Sequence, residues 1–161
     1  MRNPRRTATA FVAAVLLFSL AGCGGDTKAE TEKDKDAKEG FSAAADLTTC
    51  SKDAKAASTP YGDGFPQDWP FAPQTTVFHV EDRGGAGTIV SAVTRTPFKQ
   101  VLAFMNKRVV GAGFKTEDGE TEEHDAEAEW AGNGYRGRWA IRESGSCPGE
   151  TVVQVVSVKT S

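Results

Sequence analysis

Between Thr75 and Val158 the apolar residues change period several times, and each change marks an element. Thr75–Val80 is rich in β-formers, Asp82-Arg-Gly-Gly-Ala-Gly87 reads as a turn, and Thr88–Thr94 is a second strand carrying Ile89, Val90 and Val93. Thr96-Pro97 then has the form of an N-cap followed by a first helical residue. Phe98, Val101, Leu102, Met105, Val109 and Ala112 follow at spacings of 3, 1, 3, 4 and 3, which is a single helical stripe. Lys107 and Arg108 suit a helix C-terminus, and Gly111 and Gly113 are stop signals. A short strand over Gly113–Glu117 and a turn at Asp118-Gly119 come next.

The next segment is the most specific. Asn133-Gly134 is the preferred pair for a two-residue type I′ hairpin turn. With that turn at the tip, Gly132 pairs with Tyr135, Trp130 with Gly137, Glu129 with Arg138, Ala128 with Trp139 and Ala126 with Ile141. One face then holds Ala126, Ala128, Trp130, Gly137, Trp139 and Ile141, with Trp130 able to cover the bare Gly137. The other face holds Glu127, Glu129, Arg136, Arg138 and Ala140. A slip of one residue would turn the apolar set toward water, so the register is well specified. After Cys147-Pro-Gly149, Thr151–Val158 carries valines at both parities, as expected of a central strand or an edge packed on two sides. The expected fold is a two-layer α+β domain in the order ββαβββ. It has about five antiparallel strands and one main helix on one face.

Composition narrows the function classes. The chain has 161 residues, 19 Lys plus Arg, 22 Asp plus Glu and three cysteines. That length fits one ordinary domain. A mean hydropathy of −0.41 excludes a polytopic membrane protein, and a pI near 5.5 argues against a nucleic-acid binder. Charge is unevenly spread: residues 1–22 hold three arginines and no acid, so the remainder carries 16 bases and 22 acids, a formal −6.

Arg2, Arg5 and Arg6 form a basic flank ahead of the apolar run Phe11–Leu20. The uncharged stretch Thr7–Gly22 is 16 residues, short of the ~20 that span a bilayer as a helix. This is the layout of an export signal. Leu20-Ala21-Gly22-Cys23 resembles the lipobox of bacterial lipoproteins, and in layout the whole chain is similar to small actinobacterial-type surface lipoproteins of unknown function. The resemblance implies removal of residues 1–22 by signal peptidase II and a diacylglyceryl group on Cys23. It also implies a place on the outer face of the cell membrane. Two acyl chains hold durably where one is marginal, since each buried methylene contributes about 0.8 kcal/mol. Arg5-Arg6 leaves the twin-arginine and general export routes both open.

Residues 23–46 interleave seven acids and four lysines with small residues, and Phe41 is the single large apolar side chain. Such composition cannot offset the entropy of ordering, so a flexible tether is expected, followed by a domain at 47–161. With Cys23 assigned to lipid, the odd cysteine count resolves into a lipid site and a Cys50–Cys147 pair. Export permits such a bond. Free thiols or a redox site are the alternatives, although no Cys-x-x-Cys is present.

Four constellations bear on chemistry. Eight acids lie between Glu117 and Glu129, with His124 among them. Their spacing is not that of an EF-hand, and a zinc site would want more His or Cys, so a solvated strand face is expected and no metal or other cofactor. Arg136, Arg138 and Arg142 share one strand parity and form a possible anion-binding row, although cross-strand acids already account for them. Pro60–Pro73 concentrates four aromatics and four prolines. Trp69 and Phe71 are either a binding lip or a lead-in that completes the core. Catalysis finds little footing: there is no Gly-x-Ser-x-Gly elbow and no phosphate loop, and Gly145–Gly149 reads as a turn. The expectation is a lipid-anchored binding domain that is not an enzyme, whose partner is an envelope protein or wall polymer. A solute-binding or sensing module, which needs a real pocket, comes second. A small hydrolase, which needs a cleft with facing carboxylates, comes third.

Overall fold

A computed structural model describes residues 49–161. Cys23, the leader 1–22 and the charged segment 23–46 lie outside the described residues. Six strands are present: β1 (Thr75–Asp82), β2 (Thr88–Thr94), β3 (Lys115–Thr121), β4 (Asp125–Gly132), β5 (Tyr135–Glu143) and β6 (Thr151–Lys159). The helix α1 (Phe98–Phe104) runs into a π-helical turn over Met105–Val109. All strand pairs are antiparallel, in the spatial order β1-β2-β6-β5-β4-β3. The α+β expectation therefore stands, but the order is ββαββββ with six strands, not ββαβββ with about five.

The strand segments marked in the sequence already number six, so the count of about five drops the short one at Gly113–Glu117, which in the structure is β3 and runs further, into the acidic run. Asp118-Gly119 is not a turn. It falls where the β3–β4 register shifts, between Thr116 and Gly119, so the strand bulges and continues to Thr121. Gly119 is required there, because a β-carbon would collide with the Glu127 carbonyl and with Ala128 on β4. The true turn comes later, where the Glu122 N–H donates to the Asp125 carbonyl at 2.7 Å. β3 has almost no inward apolar residue of its own and is held as a strand by pairing with β4.

The hairpin follows its alternation residue for residue. All five expected pairs are present, from Gly132–Tyr135 at the tip to Ala126–Ile141. Asn133 and Gly134 have φ of 51° and 79°, the left-handed pair that a type I′ turn demands. Trp130 and Trp139 lie on one sheet face, 1% and 2% exposed. Gly137 answers a tighter constraint than cover by Trp130: its α-carbon lies against the Val156 carbonyl of β6, leaving no room for a β-carbon. β6 lies between β2 and β5, with Val153 and Val155 buried on one face, Val156 buried on the other, and Val152 and Val158 half-buried beside it.

The helix begins one residue later than expected. Pro97 is the N-cap, with φ −60° and ψ 149°, and its carbonyl accepts from the N–H groups of Gln100 and Val101. Thr96 makes no cap, because its hydroxyl donates to the Pro73 carbonyl at 2.9 Å. Phe98, Val101, Met105 and Val109 form the buried stripe. The last two steps of four residues overshoot a 3.6-residue turn by about 40° each, and the widened turn at Met105–Val109 keeps Val109 over the sheet. These side chains share one core with Val90, Val155, Ile141, Trp130 and Trp139.

The lead-in completes that core. Trp69 packs on Trp130 and Phe114 with ring centroids 4.5 and 5.0 Å apart, and Phe65 stacks on Phe71 at 6.3 Å. At the hairpin tip the Asn133 amide donates to Asp68 at 2.9 Å and to the Ala112 carbonyl at 3.2 Å, joining three segments. On the other sheet face, Ile89 and Val156 form a small cluster of their own.

Candidate functional site

Cys50 and Cys147 are joined by a disulfide, with α-carbons 5.7 Å apart. It ties the first described turn, in which Asp53 and Ala54 donate to the Cys50 carbonyl, to the loop between β5 and β6. The Ser51 N–H donates to Glu150 at 2.8 Å across the same junction, and the Cys147 N–H donates to the Ser144 hydroxyl. Among the described residues the one convergence of three metal-type donors is Cys50, Cys147 and Glu150, and its two sulfurs are bonded to each other.

The arginine row lies on the sheet face away from the helix. Arg138 stands opposite Glu129 in the register and pairs with Glu127, its diagonal neighbour on β4. Arg142 pairs with Asp125 at 3.0 Å, and that carboxylate holds its guanidinium above the usual arginine range. Arg136 is exposed, between Ala131 and Val158 in the register. The structure thus brings the three arginines onto one strand face, with acids beside two of them. His124, exposed, lies 2.8 Å from Glu143 and 3.6 Å from Glu123.

Trp69 and Phe71 do not join that row. Trp69 is 5% exposed and Phe71 is half-buried against the same core, on the helix side of the sheet. They serve as packing groups and present little surface to a partner.

A concavity of about 540 Å³ opens at the opposite end of the sheet from the disulfide, lined by Gly62, Asp63, Gly64, Asp82, Gly84 and Lys159. Three separate segments form it, and each is pinned. The Tyr135 hydroxyl donates to the Asp63 carbonyl at 3.2 Å, and the Gln67 amide donates to the Gly62 and Phe65 carbonyls. Asp82 Oδ1 accepts the Gly84 N–H at 2.8 Å, and Arg83 N–H donates to the Gly87 carbonyl. Beyond β6, the Thr160 N–H donates to the Gly134 carbonyl. Gly62 and Gly84 have φ of 81° and 60°, which β-carbons disfavour. Next to the site, Arg83 grips Glu81 at 2.8 Å and lowers its carboxyl pKa below the ordinary value, chiefly through that hydrogen bond.

Sequence reasoning missed this concavity, because its parts lie about 20 and 75 residues apart and meet only through the pairing of β1, β2 and β6. The available signal was local: Gly62-Asp-Gly64 and Asp82-Arg-Gly84 both set an acid within two residues of a glycine. Compared with protein-family models, curated proteins and solved structures, the chain matches none of them.

Proposed function

We propose that this chain is a lipid-anchored protein of the outer membrane face whose folded part acts by binding, with an envelope protein or wall polymer as its partner. The observation that supports the anchor is the cysteine accounting. The two cysteines of the described residues are bonded to each other, which leaves Cys23, in its lipobox-like setting, as the one thiol for acylation. A disulfide also fits an oxidising, extracytoplasmic compartment. Among the described residues no helix is long and apolar enough to cross a membrane, so retention of the folded part would fall to lipid. Cys23→Ala is expected to move the protein from the membrane fraction to the soluble exported fraction. Membrane retention of that variant at the wild-type level would overturn the anchor.

The solute-binding reading has its own support in the concavity between the lead-in and the β1–β2 turn. The pocket sought between helix and lead-in is elsewhere, but its volume falls within the roughly 300–1,000 Å³ typical of small-molecule sites.

A further inference from the structure

We infer that the concavity at the head of the sheet binds a small zwitterion with an extra amine, of the diamino-acid class. The charges it presents are unpaired and of both signs. Asp63 lies on the lead-in wall, Asp82 on the β1–β2 wall and Lys159 at the end of β6. No ion pair within 4.0 Å joins Lys159 to either acid, so the opposite charges face a common space without neutralising one another. Asp82 spends one oxygen on the Gly84 N–H. The other, Oδ2, lies 3.8 Å from where a β-carbon on Gly62 would be, over the glycine floor.

A second, independent feature lies beneath. Thr88 and Ser157 are paired in register and fully buried, and neither hydroxyl has a hydrogen-bond partner. The Thr88 hydroxyl lies directly behind Gly64, where a β-carbon would collide with it. The Thr88 hydroxyl thus fixes Gly64 as a wall that only glycine can form, and it is sealed behind that wall from the concavity itself.

The ligand class follows from charge and shape. Two carboxylates and one ammonium complement two amines and one carboxylate. The bare glycine walls leave room for a flexible ligand between the three charged side chains. A calcium ion would want six to eight oxygens and no neighbouring ammonium. A sugar would want an aromatic platform, and no aromatic side chain lines the space.

The inference rests on the binding reading above, yet it fails separately: loss of ligand binding leaves acylation of Cys23 untouched. The test titrates L-lysine into the full mature chain in detergent micelles. Amide shifts of Gly62, Gly64 and Gly84 are followed to about 20 mM, past the range where a millimolar site saturates. Saturable shifts at those glycines are expected. Asp82→Asn keeps an acceptor for Gly84 and removes the charge, and Lys159→Met changes the opposite wall. Each is expected to weaken binding about two- to fivefold, the range for an exposed charge pair. Absence of saturable shifts would overturn the proposal. So would equal shifts from methyl glucoside or from calcium chloride, or unchanged affinity in both variants.

Discussion

Replacing both Cys50 and Cys147 by serine removes the bond that closes a loop of 97 residues. In the chain-entropy account the lost restriction of the unfolded state is 2.1 + 1.5R ln n cal/mol/K, which for this loop gives about 4.7 kcal/mol at 25 °C. Little in the folded state should compensate. The Ser51–Glu150 hydrogen bond also spans the junction, but a bond of that kind contributes only about 1–3 kcal/mol and survives the substitution. A domain of this size has a total stability on the order of 6–17 kcal/mol, so the variant should be marginal at growth temperature. Urea denaturation of the oxidised protein and the double variant, each fitted with its own slope, should give a difference of 3–5 kcal/mol, about 13–21 °C in Tm. A difference under about 1 kcal/mol would refute the reasoning, because it would mean the chain ends already associate when unfolded. Serine is the right replacement, since Cys147 is buried beside the Ser144 hydroxyl and a polar neighbour is available to it.

Three further predictions test other parts of the structure. Trp130→Ala opens the aromatic cluster with Trp69 and Phe114 and should cost about 3–5 kcal/mol in chemical denaturation; a loss under 1 kcal/mol would contradict its central place. Gly137→Ala forces a β-carbon into the Val156 carbonyl, so it should destabilise by more than the ~1 kcal/mol median of point changes, whereas a neutral result would mean β5 and β6 are farther apart. Glu81 should titrate below the ordinary carboxyl value in an NMR pH series, and Arg83→Met should raise its midpoint. Because the folded pKa is the depressed one, the small stability it adds is present above the unfolded pKa and lost as pH falls through the folded one.

How far the fold was legible depended on where the determining contacts lie. The β4–β5 hairpin was readable because its alternation, its Asn-Gly tip and its opposite charges all specify the same register within the sixteen residues from Ala126 to Ile141. The centrality of β6 was readable because valines at both parities require cover on both faces. Of β3 only the start was, since Asp118-Gly119 in an acidic segment looks like a turn until the β4 backbone pairs with it through a bulge. Thr96 misled for a similar reason: a distant acceptor, the Pro73 carbonyl, took the hydroxyl that a local reading assigned to the helix. The expected Glu129–Arg138 register pair is present, and the Glu127 contact was not foreseen, because long side chains reach diagonal neighbours as easily as opposite ones. Of the candidate site, Arg136, Arg138 and Arg142 do share a face, whereas Trp69 and Phe71 went into the core. The concavity depends on strand order, which no local pattern encodes.

The most direct measurement of the anchoring claim is the mass of the mature N-terminal peptide from the membrane-associated protein, analysed without reduction. The account predicts a chain beginning at Cys23 with a diacylglyceryl mass on that residue, and a separate peptide pair linked through Cys50 and Cys147. A mature chain that retains residues 1–22, or one with an unmodified Cys23, would contradict it.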